Sequence, residues 1–145
     1  MTTRADVAEL AYAADSKSAV LRDLGVRIPP SALVHAMDVA LRSPLLRFHT
    51  GAVLLDRAGR IVSSGWSHRS ETRMASTPYS IHAEHHALRR AGVDVDGGTA
   101  IVATRSRRGN WTNSRPCPEC ARLLADAGIE HVIYTTPEGW HGYRL

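Results

Sequence analysis

The sequence predicts an α/β protein, a three-layer α-β-α arrangement around a mixed central sheet. Three observations carry that expectation. A stretch from His49 to Ser67 reads as two apolar strands joined by a turn. Two later helical segments each follow a strand and a loop and each run to a glycine, Gly92 and Gly128. The closing order of strand, helix and strand calls for a parallel pair beside the hairpin, and a crossover helix is how parallel strands are joined.

Along the chain, the first thirty residues alternate alanine-rich helical text with breakers and end at Ile28-Pro29-Pro30. From Ser31, the run SALVHAMDVALRS places Leu33, Val34, Met37, Ala40 and Leu41 on one face at helical spacing, with Ser31 the expected N-cap. The hairpin HTGAVLLDRAGRIVSSGWS turns at Asp56-Arg57-Ala58-Gly59. A polar loop, HRSETRMASTPYS, leads into the helix IHAEHHALRRAG, for which Gly92 is the stop signal. Thr99 to Thr104 is a buried-strand signal, and the basic loop RSRRGNWTNSR follows it. Pro116 to Leu124 reads as a helix ending at Gly128, with Pro118 in the first turn, where proline is tolerated. His131 to Thr136 is the last strand, and a short aromatic tail closes the chain. No repeat, low-complexity tract or linker interrupts it. One domain over residues 1–145 is expected, with its core at about 31–136 and a helical extension at 1–30.

Composition excludes several classes. With 43% hydrophobic and 22% charged residues, the 145-residue chain is neither disordered nor fibrous. No run approaches the roughly 20 apolar residues that span a bilayer, so no membrane partner is expected. The start MTTRADVAEL has no apolar signal-peptide core, and the expected compartment is the cytoplasm. The formal charge is +4, and Lys17 is the single lysine among 18 basic residues. Arginine forks suit phosphate and carboxylate, so a phosphorylated ligand is compatible with this balance.

The chemistry sits in two helix starts. Cys117 and Cys120 are the only cysteines. Three apart, they share a helix face, and at the positive end of the helix dipole their thiolates are favoured. Two thiolates and one imidazole satisfy zinc with a fourth position open, the composition of a catalytic site. The imidazole comes from His82, His85 or His86, and Glu84 is a carboxylate suited to carrying a proton. A metalloprotease needs H-E-x-x-H, and H-A-E-H-H has its glutamate one place late. The H-x-E … P-C-x-x-C signature of zinc deaminases fits instead, in His82-Ala83-Glu84 and Pro116-Cys117-Pro118-Glu119-Cys120. The bland alternatives are a redox cysteine pair and a first-turn glutamate favoured only by the dipole. Each holds for one motif taken alone, and neither explains both in order.

From roughly Ser31 to Thr136 the chain resembles the cytidine and deoxycytidylate deaminase superfamily. The resemblance implies a cytidine-deaminase-like fold, zinc held by His82, Cys117 and Cys120, and Glu84 as the proton shuttle. It implies hydrolysis at an amidine carbon, C4 of a cytosine or C6 of an adenine, with release of ammonia. His85 and His86 receive no role from it. Where many relatives read Gly-aromatic-Asn, with the asparagine on the sugar, this chain reads Gly65-Trp66-Ser67, so Ser67 or His68 is expected there instead. Where many nucleotide deaminases read E-P-C, Arg115 replaces the glutamate.

Arg107, Arg108 and Arg115, in the loop entering the second motif, are expected phosphate contacts, and Trp111 a base-stacking one. The expected substrate is a free cytosine-type nucleotide or nucleoside, deoxycytidylate-like first. The alternatives are a base within single-stranded DNA or tRNA, and a non-catalytic zinc-stabilised module that binds nucleic acid. The superfamily usually assembles into homo-oligomers, and that is expected here.

Overall fold

The structure, a computed structural model, describes residues 24–25, 28–69 and 80–145. The helical extension expected over 1–30 and the middle of the polar loop fall outside these residues, apart from the few just named. Helix α1 spans Pro30–Ala40, and the hairpin strands are β1 (Phe48–Leu55) and β2 (Ile61–Trp66). A short antiparallel pair follows, β3 (His68–Arg69) with β4 (Ser80–Ile81), then helix α2 (Ala83–Arg90). Strand β5 is Thr99–Ser106, β6 is Trp111–Thr112, and helix α3 is Pro118–Asp126. Strands β7 (His131–Thr136) and β8 (Gly139–Arg144) end the fold. Among the described residues no helix is long and apolar enough to cross a membrane.

The sheet order is β2-β1-β5-β7-β8, with β6 also paired to β5. Only β5 and β7 run parallel, and the other pairings are antiparallel, so the sheet is mixed as expected. Its central strands bury both faces, and alternate residues feed two cores. Val53, Leu55, Ile101 and Ala103 meet Leu33, Ala36 and Met37 of α1 on one side. Ala52, Leu54, Ala100 and Val102 meet Ala83 and Ala87 of α2 and Leu124 of α3 on the other. This is the expected three-layer arrangement.

Local details differ from the sequence reading. Helix α1 begins on Pro30 behind Pro29, and no side chain caps it, so Ser31 is already inside the helix. Proline at the first helical position costs nothing, since its missing N–H would have had no partner there. Leu41, expected on the apolar face, is the C-cap and is exposed. Helix α2 ends on an extended Ala91, so Gly92 supplies no left-handed stop, whereas Gly128 does after α3 with φ of 91°. The basic loop folds back as a hairpin, with β6 on β5. The aromatic tail is strand β8, which covers the edge of β7.

Strand β5 forks, and the fork places the site. Its pairing with β7 runs from Thr99 to Val102, and beyond that the same edge pairs with β6 at Thr104 and Arg105. Side chains complete the ladder where the two partners part. The Ser114 hydroxyl donates to Val102 O (2.7 Å) and accepts from Thr135 N (2.7 Å). The Thr135 hydroxyl accepts from Thr104 N and donates to Thr112 O (2.8 Å). A crevice beyond the carboxyl ends of parallel strands, where connections diverge, is where α/β sheets take ligands.

Candidate metal centre and cleft

The cleft at this fork encloses about 400 Å³, and its walls include Thr50, Ser67, Glu84, Thr104, Asn113 and Arg115. That volume lies within the usual range for small-molecule sites. Helices α2 and α3 both start at its edge. His82 is the N-cap of α2 but makes no capping bond with its side chain. Its Nδ1 lies 3.3 Å from Cys120 Sγ and 3.6 Å from Cys117 Sγ. Cys117 caps α3, and its sulfur accepts the Cys120 N–H at 3.5 Å. The three ligating atoms all fall within 4.8 Å of one another and could hold a metal ion. Tetrahedral zinc, with bonds of about 2.0–2.3 Å, sets its donors roughly 3.3–3.8 Å apart, which this cluster nearly meets.

The chemistry of the donors fits zinc. Burial of Cys120, with Glu84 and Cys117 alongside, pushes its thiol well above the ordinary range. Without a cation, burial and the neighbouring Glu84 and Cys117 oppose the thiolate that the helix terminus favours. A divalent cation reverses that balance, since it coordinates thiolate directly. Glu84, in the first turn of α2, is only 5% exposed. Burial raises its carboxyl, and the charge of His82 opposes the shift.

The other expected contacts divide. Ser67 lines the cleft, but its hydroxyl shares a hydrogen bond with Ser43 Oγ (2.8 Å) and accepts from Thr50 N (3.2 Å). It ties β1 to the turn after α1. His68 lies outside the cleft lining, with Nδ1 2.8 Å from Trp66 O and its ring against His86. Trp111 packs against the α1-side core. Arg107 and Arg108 are exposed at the β5–β6 turn, outside the cleft. That turn closes on itself, Ser106 N donating to Asn110 O and Gly109 N to Ser106 O, which swings both arginines off the rim.

Arg115 does line the cleft, with its guanidinium carbon 4.2 Å from the Tyr143 ring centroid. His85 is exposed and outside the cleft, whereas His86 accepts the Trp66 N–H at 3.0 Å. Sequence reasoning missed Thr50, Thr104, Ser114 and Thr135. Their signal is faint, polar residues at the ends of apolar strands or just ahead of a helix.

A thiolate–imidazole cluster at two helix starts, beside a buried carboxylate and at a fork in a mixed sheet, defines a class of zinc hydrolase site. Residues 30–136 match the cytidine and deoxycytidylate deaminase zinc-binding region, and the chain belongs to that family. It is 28% identical to human deoxycytidylate deaminase over 129 residues, 78% of this chain and 67% of that protein. It is 30% identical to the deoxycytidylate deaminase of Enterobacteria phage T4 over 88 residues, 59% of this chain and 36% of the phage protein. A third relative is the tRNA(Ile)-lysidine synthase of Deinococcus deserti, 30% identical over 72% of this chain but only 18% of that protein. The chain thus spans well under half the length of several curated relatives it matches. The solved cytidine deaminase of Mycobacterium tuberculosis aligns at 24% identity with a TM-score of 0.46, covering 73% of this chain and 82% of that one.

Proposed function

We propose that this protein is a zinc-dependent hydrolytic deaminase of a free cytosine-type nucleotide or nucleoside, deoxycytidylate-like first. The observation carrying this reading is the meeting of His82, Cys117 and Cys120 with a buried Glu84 on one cleft wall. His82, Cys117 and Cys120 would hold the zinc, which when bound acidifies water to a pKa of about 7. Glu84 would carry one proton of the attacking water to ring N3 as the oxygen adds at C4, and the second to the amino group as the C4–N bond breaks. The products are the uracil form and ammonia. A carboxyl whose pKa burial raises holds a proton more readily than an ordinary carboxylate, which suits both halves of that transfer.

A polynucleotide substrate is the second reading. One observation favours it, the exposed Arg107 and Arg108 standing outside the cleft, where a strand's phosphates would run. Ammonia release from deoxycytidine, deoxycytidylate and a cytosine-containing single-stranded oligonucleotide separates the two. In the same assay Glu84→Gln retains zinc by metal analysis and loses roughly 10²–10⁴-fold in turnover. Undiminished ammonia release by that variant would sink the deaminase reading.

A further inference from the structure

Among the described residues, Arg115 is the only arginine or lysine lining the cleft, and Glu84 is the only carboxylate. No ion pair engages Arg115 among the described residues. Its guanidinium lies instead against aromatic rings, 4.2 Å from the Tyr143 centroid and 6.0 Å from that of Tyr134. The two rings meet edge to face at 5.9 Å, so they form one platform across β7 and β8. A guanidinium steadied by ring faces keeps its planar N–H fork for another acceptor, and phosphate matches that fork. The lining also includes the neutral hydroxyl and amide side chains of Thr50, Thr104, Thr112 and Asn113. One cation and one carboxylate among neutral polar groups suit a ligand that carries both an uncharged amidine and an anion.

We propose that Arg115 is the specificity-determining residue that selects a nucleoside monophosphate over the nucleoside, and that Tyr143 is its positioning residue. The proposal rests on the deaminase reading and narrows its substrate class. Tyr143 belongs to a strand with no metal ligand, so its contribution runs through Arg115.

The test is a matched pair, deoxycytidine and deoxycytidylate, on the zinc-loaded protein. The ratio of their kcat/KM values is measured in the native protein, Arg115→Met, Tyr143→Leu and Tyr143→Phe. Dissociation constants for both ligands are measured by calorimetry on Glu84→Gln, with and without Arg115→Met. A charge-assisted phosphate contact predicts a native preference for the monophosphate of roughly ten- to a hundredfold. Arg115→Met abolishes that preference in both turnover and binding. Tyr143→Leu lowers it several-fold through KM, and Tyr143→Phe, which keeps the ring, restores it.

A preference indifferent to Arg115→Met overturns the proposal while the deaminase reading stands. Loss in Tyr143→Phe equal to that in Tyr143→Leu overturns the positioning role. If no cytosine compound yields ammonia but the Arg115-dependent binding preference persists, phosphate recognition stands and the deaminase reading falls.

Discussion

Helices α1 and α2 are docked on opposite faces of one hairpin by the same device, yet only one docking bears on the site. On one face Gly51 meets the last turn of α1, where an added Cβ would lie 2.3 Å from Ala40 N and 2.7 Å from Ala36 O. On the other face Gly65 meets the first turn of α2, with an added Cβ 2.3 Å from Ala87 N and 2.7 Å from Ala83 O. Both contacts are glycine against an alanine pair four apart, an approach only a missing Cβ permits. The difference is their place along the helix. Ala83 stands between His82 and Glu84, so the second contact fixes the backbone that carries these two cleft residues directly. The first fixes only the core.

These two glycines are the most sensitive positions in the two dockings. Gly65→Ala and Gly51→Ala should each destabilise by about 1–3 kcal/mol, because the colliding atoms are helix backbone and cannot rotate away. Their activities should part. A shift of about 1 Å in α2 is expected to cost on the order of 10²-fold in turnover for Gly65→Ala, with a much smaller loss for Gly51→Ala. Thermal unfolding beside ammonia release checks this, and equal losses of activity would show that α1 matters to the site as much as α2. Trimming the facing alanine, as in Gly65→Ala with Ala87→Gly, should not rescue, since its N and Cα remain.

A smaller effect belongs to the α2 docking alone. Helix α2 is also hydrogen-bonded to β2, the Ser63 hydroxyl donating to Ala87 O at 2.7 Å. Ser63→Ala should cost about 0.5–1.5 kcal/mol in denaturant unfolding, since Ala87 O still accepts the Ala91 N–H. The smallest effect is pH-dependent. Burial, then the nearby charges of His68 and Arg90, lowers the His86 pKa below its ordinary value of 6.5. The unfolded chain therefore binds more protons in that window, so His86 contributes stability fully present above pH 6.5 and lost as pH falls through the folded value. Against His86→Gln, the native melting temperature should drop more steeply below pH 6.5, and parallel curves would remove this contribution.

What the sequence made legible follows from range. The hairpin, both site helices and the parallel pair rest on periodicity and turn chemistry, which are local. The H-x-E and P-C-x-x-C spacings were readable because each lies within one helical turn. The β8 strand was hidden because Gly-Trp-His-Gly-Tyr-Arg has two glycines and no regular alternation, and it exists by pairing with β7. Ser67 read as a sugar contact because nothing in the sequence announces Ser43, 24 residues away, as its partner. Arg107 and Arg108 are the first two residues beyond β5, where the chain folds back and carries them away from the rim, a turn of direction no composition records. His86, with no role assigned from the motif, holds a β2 amide through its ring.

The forked strand has a consequence for how this cleft can change over generations. Backbone pairing is nearly indifferent to side-chain identity, so most of a sheet resists alteration by point substitution. At the fork, the ladder between β5 and β7 is finished by the hydroxyls of Ser114 and Thr135. The spacing of the cleft walls is thus written in two side chains rather than in strand register. Selection can widen or narrow the opening there while the hairpin, the helices and the ligand cluster keep their places.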